Sequence, residues 1–198
     1  MDTILRIDMG APGGPKATTE PVNAAYLGLG GRGLTSTIVA AEVHPQVHAL
    51  SAENKLVIAP GMLTGTSATT SGRVSVGCKS PLTGGIKESN AGGQAAQFIA
   101  KLGYFAIILE GKPQGDDLWR IFIDKNGVKF SVDNSLRMLG NYAVIDKLRT
   151  EFGEKAAYMT IGPAGEMKLG AASIACTDRE LRPTRHCGRG GVGAVMGS

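Results

Sequence analysis

The feature that most constrains the fold of this chain is a pattern that occurs twice, 98 residues apart. Ser75-Val76-Gly77-Cys78 is followed, fourteen residues after its cysteine, by the double glycine Gly92-Gly93. Ser173-Ile174-Ala175-Cys176 is followed at the same distance by Gly190-Gly191. Self-similarity at a fixed spacing indicates that one supersecondary unit has been used twice. The sequence therefore predicts two sheet-and-helix halves related by a pseudo-two-fold axis.

The two copies are expected to differ in extent. Copy one covers about residues 55–111, in which the double glycine leads through a helix into the apolar strand Phe105–Leu109. Copy two covers about residues 157–198, and the sequence ends at Ser198 before an equivalent strand. We therefore expect residues 1–198 to form one domain, with copy two incomplete.

Alternation and helical periodicity predict the remaining elements. Asp124-Lys125-Asn126-Gly127 is the strongest local hairpin signal in the chain. Strands outnumber helices and do not alternate regularly with them, which is typical of the α+β class. The predicted strands are 3–8, 16–21, 56–59, 74–78, 105–109, 118–123, 128–132, 158–161 and 168–175, and the predicted helices are 34–43, 92–102, 142–152 and 190–196.

Composition narrows the kind of ligand. Glycine makes up 29 of the 198 residues, about twice its usual ~7% share, and glycine lets the backbone adopt positive φ or approach a ligand closely. The net charge is +4, and five Phe, four Tyr and one Trp do not provide an aromatic set for stacking bases. Nucleic-acid binding is therefore not expected. A small ligand that carries phosphate needs only two or three local cations.

The cysteine positions and the lengths of the apolar runs indicate the role of each cysteine and the cellular compartment of the protein. Cys78 and Cys176 lie in apolar strands and are predicted to be core residues. Cys187 lies between His186 and Gly188-Arg189, so a reactive thiol there is an alternative to a core role. The absence of a C-x-x-C pair argues against a disulfide framework or a zinc site. No signal-peptide pattern and no apolar run near ~18 residues occur, so we expect a cytoplasmic protein without a membrane partner.

Two loops combine hydroxyls, glycines and cations ahead of a predicted helix. The first comprises the three stretches Thr69–Arg73, Lys79–Gly85 and Ser89–Gly93, and the second, Arg182–Gly191, carries three arginines. Backbone N–H donors beside an Arg side chain are suited to holding phosphate. Any one loop could be an ordinary Ser/Thr/Gly turn, but their recurrence in register favours two similar anion sites. At the 98-residue offset Lys87 corresponds to Arg185, so each copy carries its own cation.

Other candidate sites are weaker. The loop Gly28–Gly33 resembles a dinucleotide fingerprint but lacks a preceding Val/Ile-rich strand and an acidic residue closing a second strand. His44 and His48 are separated by a helix-breaking Pro45 and are predicted to lie on the surface. No Ser/His/Asp set or carboxylate pair for acid–base catalysis can be assembled from the sequence.

Nine stretches, in order along nearly the whole chain, resemble the N-terminal domain of the aldehyde:ferredoxin oxidoreductases. That family depends on tungsten, occasionally molybdenum, oxidises aldehydes to carboxylic acids, and passes electrons through a [4Fe-4S] cluster to ferredoxin. In the family this domain is the base on which a bis-pyranopterin cofactor lies, with the metal held by dithiolene sulfurs. The stretches are Glu53–Leu56, Leu63–Thr66, Thr70–Arg73, Lys79–Gly84, Ser89–Gly93, Gly103-Tyr104, Glu110–Lys112, Ile161–Glu166 and Gly188–Ser198.

The resemblance implies a set of site residues. It also implies a magnesium ion that bridges the cofactor phosphates and takes the backbone carbonyls of Asn90 and His186. His186-Cys187 departs from the small residues usual in the family at these positions. The residues implied to contact the cofactor are Arg73, Asn90, Gly92, Gly93, Arg185, His186, Gly188 and Arg189.

The resemblance further implies that this chain needs other parts. In the family the cluster-binding cysteines and the substrate pocket belong to later domains, so the chain alone is not expected to be active. The implied partners are the remaining domains or a separate subunit, ferredoxin and a small aldehyde. Two alternatives stay open: a non-catalytic binding or assembly module that retains the fold, and a general nucleotide-phosphate binder.

Overall fold

A six-stranded mixed sheet forms the centre of the computed structural model, which describes all residues from 1 to 198. Its strand order is β2-β1-β6-β3-β4-β5. β1 and β6 are parallel, and all other neighbours are antiparallel. The strands are β1 (Thr3–Asp8), β2 (Lys16–Pro21), β3 (Leu56–Pro60), β4 (Val74–Lys79), β5 (Ile86–Ala91) and β6 (Tyr104–Glu110).

A two-stranded ribbon, a three-stranded sheet and five helices complete the domain. A two-stranded ribbon consists of β7 (Trp119–Asp124) and β8 (Gly127–Val132). A three-stranded antiparallel sheet has the order β11-β10-β9, from β9 (Met159–Thr160), β10 (Ile174–Cys176) and β11 (Arg185–Cys187). The helices are α1 (Gly31–Glu42), α2 (Ala95–Lys101), α3 (Asn141–Phe152), α4 (Gly162–Glu166) and α5 (Val192–Met196). The predicted α+β class is confirmed.

Both faces of the central sheet are covered, which explains why its inner strands are continuously apolar. In β3, Leu56 and Ile58 face one core cluster and Val57 faces the other, because successive side chains of a strand point to opposite faces. Helix α1 packs on the Val57 face through Leu34 and Ile38, whereas α2, α5 and the second sheet pack on the opposite face. The three-stranded sheet, called the second β unit below, is thereby placed beside β4 and β5 of the central sheet, which is called the first β unit.

A network of charges holds the outer edge of the sheet to α1. Arg6 Nη2 lies 2.7 Å from Glu42 Oε1, and Arg6 Nε lies 2.8 Å from Glu20 Oε1. Lys55 Nζ lies 2.7 Å from Glu42 Oε2 and 2.6 Å from Glu110 Oε2. Burial alone would raise the pKa of Glu42, but hydrogen bonds from Arg6 and Lys55 lower it from 4.5 to about 2.

Replacement Glu42→Gln is expected to lower the free energy of unfolding by about 1–3 kcal/mol at neutral pH, because two cations lose a hydrogen-bonded carboxylate. The pKa of Glu42 is lower in the folded state, so its contribution is complete above the unfolded value of 4.5 and is lost as the pH falls toward about 2. Urea unfolding across that range should show a shallower pH dependence for Glu42→Gln. Exposed Glu154 supplies the control Glu154→Gln, and identical slopes for the two variants would contradict the assignment.

One predicted strand was wrong over most of its length, and three elements were not predicted. Residues 86–91 form strand β5, although their polar sequence gave no apolar alternation. The predicted strand 168–175 begins only at Ile174, since the chain turns at Lys168, where φ is +55°. Residues 162–166 form helix α4, and residues 185–187 form strand β11, neither of which was predicted.

The helices after the double glycines start later than predicted, at Ala95 and Val192. Gly93 has φ +102°, and Gly190 and Gly191 have φ +76° and +70°, which is left-handed geometry that glycine adopts without strain. The double glycines therefore form turns ahead of the helices rather than their first residues. No helix of the chain is long and apolar enough to cross a bilayer.

Candidate functional site

A cleft of about 760 Å³ lies between α1, β5 and the segment that joins β11 to α5. It contains four of the eight residues implied by the family resemblance: Asn90, His186, Gly188 and Arg189. The cleft brings together residues about 100 positions apart in the sequence. It is lined by Arg32, Ser36, Ile86, Lys87, Glu88, Ser89, Asn90, His186, Gly188 and Arg189.

A chain of hydrogen bonds crosses β4 and β5 at one wall of the cleft. Arg73 Nε donates to Asn90 Oδ1 and Arg73 Nη2 to the Asn90 carbonyl at 3.4 Å. Asn90 Nδ2 donates to Ser75 Oγ at 3.0 Å, and Ser75 Oγ donates to Glu88 Oε1 at 2.8 Å. The chain ends where Arg32 Nε donates to Glu88 Oε2 at 3.2 Å. Arg73 and Asn90 are thus held in one fixed arrangement.

Helix α1 contributes Arg32 because it packs unusually close to β4. A Cβ at Gly77 would lie 2.7 Å from Thr35 Cβ, so the absence of a side chain at Gly77 allows this approach. Little in the sequence indicated Arg32, because its loop Gly28–Gly33 resembles only a dinucleotide fingerprint. Glu88 was also missed, since nothing local distinguishes it from a solvated charge.

The opposite wall is tied to the first by backbone contacts. The Arg189 N–H donates to Ser89 Oγ at 3.0 Å, and Ser80 Oγ donates to the Gly190 carbonyl at 2.7 Å. His186 Nδ1 lies 3.2 Å from Ser173 Oγ, which orients the imidazole at the mouth of the cleft. These bonds fix the register between the two β units.

The other implied residues lie beside the cleft rather than in it. Gly92 adjoins Arg73, since a Cβ there would lie 3.8 Å from Arg73 Nη1. Arg185 is exposed and packs its stem against Gly93, with Arg185 Cγ 3.5 Å from the position of a Gly93 Cβ. The eight residues therefore form one neighbourhood made of two adjacent groups. One group lines the cleft, and the other surrounds the Gly92-Gly93 turn.

The cations of this neighbourhood have few counterions. Arg73, Lys87, Arg185 and Arg189 have no carboxylate oxygen within 4.0 Å, and Arg32 alone is paired, with Glu88. Unneutralised cations around a concave surface raise the local concentration of anions. The site is electrostatically suited to a ligand with negative charge.

Arg182 does not belong to this set, although the sequence placed it in the same cationic loop. Arg182 Nη2 lies 3.0 Å from Asp178 Oδ2, and its backbone N–H also donates to Asp178. Burial alone would raise the pKa of Asp178, but bonds from Arg182 and Thr184 lower it to about 2. Arg182 therefore stabilises the turn that precedes β11.

All three cysteines are buried core residues. Burial raises the pKa of Cys78 to about 12. The adjacent Cys176 thiol and burial both raise the pKa of Cys187, so its thiolate is disfavoured. The interpretation of Cys187 as a reactive thiol is wrong, and the core prediction for Cys78 and Cys176 is confirmed.

No three His, Cys, Asp or Glu side chains lie close enough together to hold a metal ion. Asn90 and His186, whose carbonyl oxygens the resemblance implies as magnesium ligands, line the same cleft from opposite walls. Magnesium binds such hard oxygen ligands and usually retains several waters. The magnesium assignment stays a prediction.

The fold and the site define the class of this protein: an α+β domain with a cationic cleft between two β units. The family model described as "Aldehyde ferredoxin oxidoreductase, N-terminal domain" matches residues 4–198. The chain belongs to this family, and it is therefore a domain of an oxidoreductase family.

Similarity to individual proteins is consistent with membership of this family. The tungsten-containing aldehyde ferredoxin oxidoreductase of Pyrococcus furiosus is 41% identical over 173 residues, which cover 86% of this chain and 27% of that protein. The enzyme of the same name from Pyrococcus horikoshii is 38% identical over 198 residues, covering 98% of this chain and 31% of that protein.

A solved structure is similar over almost the full chain. It is the active-site complex BamBC of benzoyl coenzyme A reductase in complex with 1,5-dienoyl-CoA, with a TM-score of 0.88 and 31% identity. The similarity covers 99% of this chain and 29% of that one. This chain thus spans about three-tenths of the length of the relatives that it matches.

Proposed function

We propose that this chain is the cofactor-holding domain or subunit of a tungsten or molybdenum bis-pyranopterin oxidoreductase. The enzyme would oxidise aldehydes to carboxylic acids and pass electrons through a [4Fe-4S] cluster to ferredoxin. The observation that carries the proposal is the cleft itself, in which Lys87 and Arg189 lack counterions and Asn90 is anchored to Arg73. The names of the relatives support tungsten and aldehyde chemistry.

The residues present fit the phosphate ends of such a cofactor. The guanidinium groups of Arg73, Arg185 and Arg189 offer planar donors that match phosphate oxygens. Gly92 and Gly188 leave space, since a Cβ at either would meet nothing closer than 3.8 Å. The residues that would hold the cofactor are Arg73, Asn90, Gly92, Gly93, Arg185, His186, Gly188 and Arg189, with the Asn90 and His186 carbonyls on magnesium.

This set of donors indicates which functions belong to the cofactor and which belong to the chain. The bound cofactor would supply the two-electron redox chemistry at its metal. The residues of this chain bind and orient the cofactor, because the cleft is lined by cations, amides and hydroxyls and the carboxylate of Glu88 is already engaged by Arg32 and Ser75. A cofactor with two phosphates would contact both walls of the cleft.

The proposal includes an internal duplication with a pseudo-two-fold axis, copy one at about 55–111 and copy two at about 157–198. The strand order β3-β4-β5 recurs as β9-β10-β11. Cys78 pairs with Lys87 and Cys176 pairs with Arg185, so the hairpin register repeats at the 98-residue offset. Equal pairing at equal offset supports descent of both units from one.

Further parts of the enzyme would supply the cluster and the substrate pocket, because the chain spans about three-tenths of the length of its relatives. Exposed apolar side chains beside a second cavity of about 520 Å³ support a covering partner, since Leu27, Met62 and Leu63 are each more than half exposed. The proposed partners are these remaining domains or a subunit, ferredoxin and a small aldehyde, in the cytoplasm.

Analysis of metal and pterin in the complete enzyme that contains this chain tests the proposal. We expect tungsten or molybdenum by mass spectrometry, and two pterins per metal by fluorescence after acid release. A purified complex with neither would contradict the proposal and would favour the non-catalytic binding or assembly module. Saturable nucleotide binding by the chain alone would instead favour a general phosphate binder.

A further inference from the structure

We propose that Glu88 is a positioning residue of the candidate site and that it sets the orientation of the Asn90 side-chain amide through the hydroxyl group of Ser75. The oriented amide in turn presents its oxygen to Arg73. This role rests on the proposed function and deepens it, because Glu88 acts on a cofactor-holding arginine through its neighbours. Glu88 is not among the residues that the family resemblance implies.

Strand register brings these polar side chains to one face of the central sheet. Ser75 on β4 lies directly opposite Asn90 on β5, and Glu88 precedes Asn90 by two residues on the same strand. Side chains two residues apart in a strand point to the same face. Helix α1 covers this face, since a Cβ at Gly31 would lie 3.4 Å from Ser75 Oγ. Ser75 is 1% exposed and the Glu88 side chain is 9% exposed, so little water reaches the bond between them.

The carboxylate of Glu88 determines the direction of the hydrogen bonds that follow it. A carboxylate accepts hydrogen bonds and has no proton to donate, so Ser75 donates its only hydroxyl proton to Glu88 Oε1 at 2.8 Å. Ser75 Oγ then offers only lone pairs to Asn90, and the amide presents its Nδ2 donor at 3.0 Å. The Asn90 Oδ1 acceptor is consequently directed at Arg73, whose Nε donates to it.

Arg73 depends on this orientation because no opposite charge holds it. It has no carboxylate oxygen within 4.0 Å, and its other bond to Asn90, from Nη2 to the backbone carbonyl, is 3.4 Å long. If the amide were reversed, its NH₂ group would face the Arg73 Nε–H, and two donors would meet without an acceptor. The oriented amide therefore keeps Arg73 Nη1 beside Gly92, 3.8 Å from the position of a Gly92 Cβ.

Both oxygens of Glu88 are in use, which makes the carboxylate irreplaceable by an amide. Oε1 accepts from Ser75, and Oε2 accepts from Arg32 Nε at 3.2 Å. Glutamine has one oxygen and one NH₂ group, so it can accept on one side only. In Glu88→Gln the charged guanidinium of Arg32 would take the single oxygen, since charge-assisted hydrogen bonds are the stronger ones. Ser75 would then face a donor and turn its own proton toward Asn90, which reverses the amide.

The test measures the solvent exchange of the Arg73 Nε–H by NMR, in the complete protein that contains this chain, with ¹⁵N in its arginine side chains. Arg73→Lys identifies the signal by removing it. We expect Glu88→Gln to speed this exchange about three- to tenfold, because one hydrogen bond to Asn90 is lost. Adding Arg32→Met to Glu88→Gln should restore slow exchange, since the glutamine oxygen becomes free to accept from Ser75.

Two further variants separate this chain of hydrogen bonds from a general loss of charge or stability. Glu88→Gln should have no effect on the exchange in a Ser75→Ala background, because the link to Asn90 is already broken there. Glu110→Gln is the matched control, since it removes a paired carboxylate outside the cleft and should leave the exchange of Arg73 unchanged. Urea unfolding verifies that each variant is folded.

The outcomes separate the role of Glu88 from the proposed function. Unchanged exchange in Glu88→Gln, or no recovery on addition of Arg32→Met, overturns the role of Glu88 and leaves the cofactor-holding proposal intact. An effect of Glu88→Gln that persists in the Ser75→Ala background also overturns it, because Glu88 would then act on Arg73 directly through space. Absence of metal and pterin from the complete enzyme contradicts the proposed function, even where the exchange of Arg73 follows the expected pattern.

Discussion

Replacement of Arg73 and Arg189 together by alanine is expected to remove most of the metal and pterin from the complete enzyme. Neither guanidinium has a carboxylate partner, and Arg73 is held in position by Asn90. A charge-assisted hydrogen bond contributes about 1.5–3 kcal/mol, so loss of both should weaken cofactor retention by about a hundredfold or more. Tungsten, molybdenum and released pterin, each measured per mole of protein, report the result.

The control for this experiment is an arginine outside the cleft. Arg149 pairs with Glu154 on the surface, where the two side chains are 44% and 71% exposed, and such exposed pairs contribute little. Arg149→Ala should therefore leave metal and pterin content unchanged. Full occupancy in the Arg73/Arg189 variant, with the enzyme folded, would show that these arginines do not hold the cofactor.

Gly93→Ala is expected to cause the largest loss of stability among substitutions at the double glycines of copy one. Gly93 has φ +102°, and an added Cβ would lie 2.5 Å from the Thr177 carbonyl oxygen, which belongs to backbone and cannot rotate away. Backbone strain costs about 1–3 kcal/mol and overpacking about 1–3 kcal/mol more. We expect the free energy of unfolding, measured in urea, to fall by about 2–6 kcal/mol.

Gly103→Ala separates the two contributions, because Gly103 has φ +86° but no atom within 4 Å of its Cβ position. Gly103→Ala should therefore show the effect of backbone strain alone, with a smaller loss in the free energy of unfolding. The difference between the variants measures the contact between Gly93 and the second β unit. Equal losses would mean that this contact does not contribute to stability.

Much of the secondary structure followed from local signals. β1 and β2 were predicted with the bounds that the structure has, and the ribbon β7–β8 was predicted to within one residue. Alternation, turn residues and helix periodicity act over a few positions, so a single sequence contains them. The resemblance to the aldehyde:ferredoxin oxidoreductases was confirmed by the family match over residues 4–198.

The two strands that were not predicted, β5 and β11, share a physical cause. β5 carries Lys87, Glu88 and Asn90 in a strand whose pattern depends on the cleft that it faces rather than on a local apolar rhythm. β11 is three residues long and exists because β10 lies beside it. In both cases a neighbour distant in the sequence decides the conformation, as tertiary context often does for strands.

The sequence by itself determined most strands of the central sheet, the ribbon, the family and the 98-residue repeat that carries two cationic double-glycine loops. Only the tertiary structure decided which cations line the same cleft. It placed Arg32, Lys87 and Arg189 around one cleft and tied Arg182 to Asp178. The reason is that local pattern specifies elements, whereas the cleft depends on Ser89, Ser80 and the double glycines bringing together residues about 100 positions apart. No local pattern encodes that separation, because it arises from close packing between the two units.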